Sequence, residues 1–275
     1  MKLLDREMDA GRQRMANQSH QLAGQLFRWA LRRGYVDQDP TAGVDKPAKD
    51  KSRDRVLSDK ELAEVWQAAS QLGYPFGPFV QLLILTSQRR NEVAGLLWAE
   101  IDFDKQLWSL PADRTKNGRP HDVPLSASAM AILEKTPRLA DRVFPSAKKT
   151  SERPINGFSK TKRRVDALIL DGRKRRAAAL DHSSDDVEPM PAWVLHDLRR
   201  TTVTGMAELG AQPHVIEAVV NHVSGHKAGF AGVYNRATYA VEKREALERW
   251  STHIASIVDV DADIVEAETS GTPDS

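Results

Sequence analysis

One stretch of this 275-residue chain breaks the pattern around it. Over most of the chain, apolar residues recur at three- and four-residue spacing, the mark of helices. Between residues 101 and 125 the segments IDF, QLWSL and HDVPL are short, rich in β-type residues, and separated by DK and TKNGRP. Asn117-Gly118 is a strong hairpin signal, because both residue types enter positive φ at little cost. Residues 101–125 therefore read as three short antiparallel strands, with Lys116 at the tip of the second turn. The fold class that follows is mainly α with a small antiparallel β-sheet, an α+β arrangement.

The helices on either side give the organisation. Residues 1–36 read as helical, with Leu22, Leu26 and Trp29–Ala30 on one face and Gly34 as a stop. One or two helices cannot bury such a stripe, so this segment is expected to be the remnant of a larger helical domain. Residues 37–57 hold two prolines and many charges, the signature of a linker. A second unit, 58–258, opens with the capping box SDKE at Ser58–Glu61. Phe79–Thr86 reads as a buried helix ending at the polar QRRNE. Further helices cover 126–135, the very basic 158–176, the VLHDLRRTTVTGMAELG stretch closed by Gly210, and HVIEAVVNH. The segment ALDHSSDDVEPMP reads as a surface insertion. A last helix carries Leu247, Trp250, Ile254 and Ile257, and an acidic disordered tail is expected over 259–275.

Composition narrows the chemistry. There are no cysteines, which excludes disulfides, thiolate zinc sites and cysteine nucleophiles, and fits a reducing cytoplasm. No apolar run is long enough to span a membrane. The net charge of +2 hides an asymmetry. Six acidic residues and no Lys or Arg follow Trp250, so 40 basic residues before it face 32 acidic ones. An excess of eight positive charges points toward a polyanion.

Four polar clusters interrupt the apolar helices: TSQRRNE (Thr86–Glu92), TKNGRP (Thr115–Pro120), HDLRRT (His196–Thr201), and the glycine-rich NHVSGHKAGFAGVYNR (Asn221–Arg236). Guanidinium groups match phosphate oxygens and stay charged at any working pH. A histidine moves protons near neutral pH. A tyrosine hydroxyl can attack phosphorus and form a covalent intermediate. His196 and Arg199, three apart, share one helix face and can present a proton carrier and a phosphate clamp together. His222 and His226, four apart, have the spacing of a metal pair, but no cysteine exists and no carboxylate lies near enough in sequence to complete it, so no metal is assigned.

These strings resemble those of the tyrosine recombinases, the phage-integrase family, in particular integrases of phage and genomic-island type. Thr86-Ser87-Gln88-Arg89-Arg90-Asn91-Glu92 matches the family's T-G-x-R-x-x-E, which puts Arg89 rather than Arg90 in the catalytic place. Lys116 matches the family's hairpin lysine, His196-Asp197-Leu198-Arg199 its H-x-L-R, and Val220-Asn221-His222 its L-G-H. The nucleophile follows about a dozen residues later, at Tyr234. The match runs in order over roughly residues 55–257. Two glycines of the pattern are replaced, by Ser87 and Asn221, and the helical region before the linker is shorter than the family's whole core-binding domain.

The resemblance implies cofactor-free, site-specific cleavage and rejoining of DNA through a 3′-phosphotyrosyl bond. Tyr234 is the implied nucleophile and Lys116 the acid for the leaving 5′ oxygen. Arg89, Arg199 and His222 hold the phosphate, and His196 is the base. The basic residues Lys160, Lys162, Arg163, Arg164, Arg173, Lys174, Arg175 and Arg176 are expected to face the DNA backbone. The glycine-rich loop is expected to let Tyr234 swing. Implied partners are double-stranded attachment-site DNA, three further copies in a tetramer on that DNA with the last helix docking on a neighbour, and a directionality factor, in a bacterial cytoplasm. Three alternatives stay open: a catalytically inactive DNA-binding remnant, a type IB topoisomerase-like enzyme, and a nuclease using His196 and His222.

Overall fold

The structure, a computed structural model, describes residues 2–49, 53–146, 153–180, 182–222 and 237–270, with side chains as far as Asp259. The chain divides into two compact units, Met1–Asp54 and Arg55–Ser275.

The first unit holds α1 (Lys2–Asp9) and α2 (Gln13–Arg32). Gly11, at φ 70°, turns the chain between them, and Arg12 pairs with Glu7 at 2.6 Å. Leu22 and Leu26 are each 57% exposed and Trp29 is 45% exposed, while Ala30 is buried, so the large side chains of the stripe read from the sequence stay exposed among the described residues. The expected linker is only partly one. Residues 39–48 lie along α2: the Asn17 amide donates to the Ala48 carbonyl at 2.8 Å and accepts the Ala48 N–H at 3.0 Å, and His20 Nε2 lies 2.8 Å from the Val44 carbonyl. Backbone groups tied this way cannot act as a free tether.

The second unit opens at α3 (Asp59–Leu72) with the capping box in place: Ser58 Oγ accepts from Glu61 N–H, and the Glu61 carboxylate accepts from Ser58 N–H at 2.9 Å. Burial alone would raise the Glu61 carboxyl, but Arg55 and the Ser58 N–H outweigh it and hold its pKa low. α4 (Phe76–Thr86) is apolar on nearly every face and runs through the centre of the core, in contact with α3 and with three helices described below. A helix of that composition must be enclosed, since no face of it is suited to water. After α5 (Arg90–Ala94), β1 (Ile101–Asp102), β2 (Leu107–Leu110) and β3 (His121–Pro124) form the expected antiparallel sheet in the order β1-β2-β3. Trp108 pairs with Val123 and Leu110 with His121, and all four point inward; Ser109 and Asp122 oppose each other on the outer face, joined at 2.7 Å. The connection from β2 to β3 is ten residues long and contains a 3-10 turn, so Asn117-Gly118 ends a long loop instead of closing a two-residue hairpin.

Then come α6 (Ala127–Lys135), α7 (Phe158–Ala179), α8 (Leu195–Glu208), α9 (Pro213–Val219) and α10 (Ala240–Ser270). α4 touches α6, α8 and α10. Two expectations about α10 are corrected. Leu247, Trp250 and Ile254 are each 1% exposed, because this face fills the chain's own core and does not wait for a neighbouring protomer. Trp250 Nε1 donates to the Ile84 carbonyl of α4 at 2.8 Å, and Gly205 of α8 makes room for the indole: a Cβ there would lie 2.2 Å from the ring. The helix also continues past Asp259 to Ser270, where a disordered tail was expected. Nothing between Val260 and Ser270 breaks a helix, and the first glycine is Gly271. No described helix is long and apolar enough to cross a membrane.

Candidate active site

α4 ends where Ser87 adopts the left-handed conformation, φ 56°, and α5 starts three residues later with Arg89 at its N-cap. Glu92, buried, does two things there. Its carboxylate accepts the Arg89 backbone N–H at 2.9 Å, capping the helix, and accepts from Arg89 Nη1 at 3.0 Å, aiming the guanidinium. The R-x-x-E spacing is thus a helix cap that also fixes a side chain. Arg90 points elsewhere and stacks over the Phe158 ring at 4.5 Å. Of the two adjacent arginines, Arg89 is the one held at the site.

Arg199, on the first turns of α8, reaches the same place from 110 residues away. It donates through Nη1 to the Ser87 carbonyl and through Nη2 to the Val220 carbonyl. Burial, and then the Arg89 charge, lower its pKa to about 10, with Glu92 acting in the other direction. It stays charged at neutral pH. The Arg89 charge beside it disfavours the charged form of Arg199, and an arriving anion relieves the repulsion. Asp197, fully buried, accepts the Val194 N–H at 2.9 Å and pairs with Arg200. It caps α8 and so orients His196 and Arg199, a role the sequence reading did not assign. His196 itself is exposed. Partial burial and the flanking Arg200 and Arg199 push its pKa below the usual histidine value, which keeps the ring neutral and able to accept a proton.

The end of α9 is the scaffold for these cations. The His222 N–H returns to the Glu217 carbonyl at 3.0 Å and the Asn221 N–H to the Ala218 carbonyl at 3.4 Å, with Asn221 at φ 46°. This is a Schellman termination, with Asn221 in the left-handed position that glycine most often fills. Three successive carbonyls, which a helix end leaves without intrahelical partners, are then taken up. The Val219 carbonyl receives Gln88 Nε2 at 2.9 Å and His121 Nε2 at 3.0 Å; the Val220 carbonyl receives Arg199; the Asn221 carbonyl receives Arg89 Nη2 at 3.3 Å. The negative end of a helix dipole suits cations, so the clamp arginines stabilise the helix end that positions them.

Lys116 is exposed on the long β2–β3 loop. Its neighbour Asn117 pairs with the Asn221 side chain, Nδ2 to Oδ1 at 2.8 Å and the reverse bond at 3.3 Å, which ties the loop to the clamp. His222 is exposed, follows Asn221 directly, and lines a cavity of about 300 Å³ with Arg119, His121, Thr238 and Lys243. Arg89, Arg199, the Lys116 loop and the start of the His222 segment are therefore brought together. Tyr234, His226 and the expected swing of the glycine-rich loop lie outside the described residues.

The basic set on α7 is only partly free. Arg173 and Arg176 both clamp Glu64 of α3, each at 2.7 Å, and the carboxylate is 1% exposed. Lys162 pairs with Asp166 at 2.6 Å and lies over the Trp193 ring at 4.3 Å. The expectation that these three face DNA is corrected: they join α7 to its own neighbours. Lys160, Arg163, Arg164, Lys174 and Arg175 are exposed.

The sequence model of the phage integrase family matches residues 55–240, about two thirds of the chain. The chain belongs to the phage integrase family. Prophage integrase IntA of Escherichia coli K12 is 30% identical over 260 residues, which cover 91% of this chain and 54% of that relative. Prophage integrase IntZ of the same organism is 27% identical over 86% of this chain and 54% of its own length. This integrase-family chain thus spans about half the length of the curated relatives it matches. Among solved structures, the lambda integrase (75–356) dimer bound to a COC′ core site aligns with TM-score 0.57 at 18% identity, covering 81% of this chain and 77% of that one. The Tn1549 transposon integrase in complex with a circular intermediate DNA aligns with TM-score 0.60 at 14% identity, covering 90% and 83%. At such identities the likeness is one of fold, that of the tyrosine recombinase catalytic domain.

Proposed function

We propose that this integrase-family chain is a site-specific DNA recombinase that cuts and rejoins attachment-site DNA to move a mobile element. The observation that carries the reading is the pair Arg89 and Arg199, brought from helices far apart in sequence onto adjacent carbonyls of one helix end. Fixed cations aimed at one spot stabilise the negative charge that a phosphoryl transition state places on its non-bridging oxygens. In the proposed reaction, the Tyr234 hydroxyl oxygen attacks the scissile phosphorus and its proton passes to neutral His196. The bond from phosphorus to the 5′ oxygen breaks, and Lys116 supplies that oxygen's proton. His222 adds a hydrogen bond to the phosphate. A 3′-phosphotyrosyl link and a free 5′-hydroxyl result. Because the phosphotyrosyl ester keeps the energy of the broken phosphodiester bond, rejoining is the same reaction run backward and consumes no nucleotide.

In this reading Met1–Asp54 is the end of a helical core-binding domain, and the exposed bases of α7 meet the DNA backbone. The active assembly is a tetramer on DNA, a directionality factor sets its bias, and it works in the bacterial cytoplasm. The lambda integrase tetramer bound to a Holliday junction, of the same fold, motivates the assembly. The test is covalent trapping. Nicked duplexes carrying the direct repeats that flank its gene are mixed with the protein and resolved on a denaturing gel beside Tyr234→Phe. An adduct lost in Tyr234→Phe is the expected result. Binding without an adduct refutes it and points to a DNA-binding remnant. Cleavage that survives Tyr234→Phe points to a nuclease, and relaxation of plasmids without site preference points to a topoisomerase-like enzyme.

A further inference from the structure

We propose that Asn221 is a positioning residue for Lys116, coupling the acid's loop to the phosphate clamp; this rests on the recombinase reading above. Position 221 demands a left-handed backbone, at φ 46°, and Asn is the residue that enters it most readily after glycine. Glycine meets the backbone demand alone. Asn221 meets it and adds a side chain, and that side chain has one partner across the site. Asn117 Nδ2 donates to Asn221 Oδ1 at 2.8 Å and to the Asn221 carbonyl at 3.3 Å, and Asn221 Nδ2 donates back to Asn117 Oδ1 at 3.3 Å. The same carbonyl receives Arg89 Nη2 at 3.3 Å.

Lys116 is therefore gripped from both sides. On one, Thr115 is buried, and its hydroxyl accepts the Arg119 N–H at 3.1 Å and lies 2.7 Å from the Arg119 carbonyl, bracing the turn from within. On the other, Asn117 is bolted to the helix end that carries Arg89 and Arg199. A long loop with an exposed lysine samples many positions. A reciprocal amide pair fixes its tip relative to the clamp, so that the ammonium meets the leaving oxygen of a phosphate seated there. Positioning of this kind has large kinetic weight, since a displacement of about 1 Å can cost about a hundredfold in rate.

The experiment separates positioning from folding by changing the leaving group. A duplex with sulfur in place of the scissile 5′ oxygen expels a thiolate, which at a thiol pKa of about 8.5 needs no proton from the enzyme. Asn221→Gly keeps the left-handed backbone and deletes only the amide. On ordinary DNA it is expected to slow single-turnover cleavage by roughly ten- to hundredfold, a part of what an acid contributes, with DNA affinity unchanged. On sulfur DNA it is expected to cleave within about threefold of wild type, as Lys116→Ala should, because no acid is needed there. Asn117→Ala should reproduce the pattern, and the double variant should be no slower than either single one. Wild-type rates for Asn221→Gly on ordinary DNA, or equal slowing on both substrates, would overturn the proposal. Failure of the wild-type protein to form an adduct refutes the recombinase reading instead. Hydrogen exchange on the DNA-free chain still decides the coupling: amides 116–119 exchange faster in Asn221→Gly if it holds, and at the wild-type rate if it does not.

Discussion

His121 should make this fold sensitive to mild acid. The side chain is 7% exposed, faces inward from β3, and donates from Nε2 to the Val219 carbonyl, which leaves Nδ1 to take any further proton. Burial is the main reason its pKa falls from 6.5 to about 4; the Lys243 and Arg199 charges add to the fall, while the Val219 carbonyl and Asp122 oppose it. The sign follows directly. Between pH 6.5 and 4 the unfolded chain binds a proton at this residue and the folded chain does not, so stability is full above 6.5 and is lost as pH falls through that window. A depression of that size corresponds to about 3 kcal/mol in total, with a slope of at most about 1.4 kcal/mol per pH unit. The assay is urea unfolding of wild type and His121→Gln at pH 7.5, 6.5, 5.5 and 4.5. Glutamine can still donate to the Val219 carbonyl but does not titrate, and the carboxylates common to both proteins cancel in the difference. The wild type should lose most of that 3 kcal/mol relative to His121→Gln across the series. Curves that stay parallel from pH 7.5 to 4.5 would refute the reasoning.

Two further substitutions probe the core. Glu64→Gln removes the buried charge that Arg173 and Arg176, each about one fifth exposed, share; weakening a buried ion cluster in this way should cost about 3–5 kcal/mol in a denaturant titration, and a loss under about 1 kcal/mol would contradict it. Gly205→Ala drives a methyl to 2.2 Å from the Trp250 ring, so it should cost about 1–3 kcal/mol and alter tryptophan fluorescence. Pairing it with Trp250→Leu should recover part of the loss, and simple additivity would speak against the clash.

What the sequence made legible was mostly local. The change of periodicity at 101–125 located the sheet, the SDKE box located the start of α3, and the resemblance to the family's T-G-x-R-x-x-E string singled out Arg89 from its neighbour. What it hid depends on register or on long-range pairing. Nothing in HDVPL says that His121 faces inward; that follows from its pairing with Leu110. Arg173 and Arg176 read as a solvated basic run because their partner lies more than a hundred residues earlier. Asn221 reads as a mild departure from glycine until its positive φ and its partner on another element are known together. The Trp250 helix was expected to dock on a neighbour, because the space beside Gly205 that its indole fills lies on an element remote in sequence.

The Glu64 cluster also bears on how salt should act on this chain. Counting charges along α7 suggests eight residues able to displace cations from a nucleic-acid backbone. Four of them are paired with carboxylates of the chain: Arg175 in a solvent-exposed pair with Asp171 that a phosphate can displace, and Lys162, Arg173 and Arg176 in pairs that leave them at most one fifth exposed. A duplex lying along this helix can thus release only about five counterions to it, which caps the helix's share of the slope of log affinity against log salt at about 4 to 5. Neutralising Lys160 or Arg164 should make that slope shallower by about one unit, whereas neutralising Arg173 should leave it unchanged and loosen the fold instead.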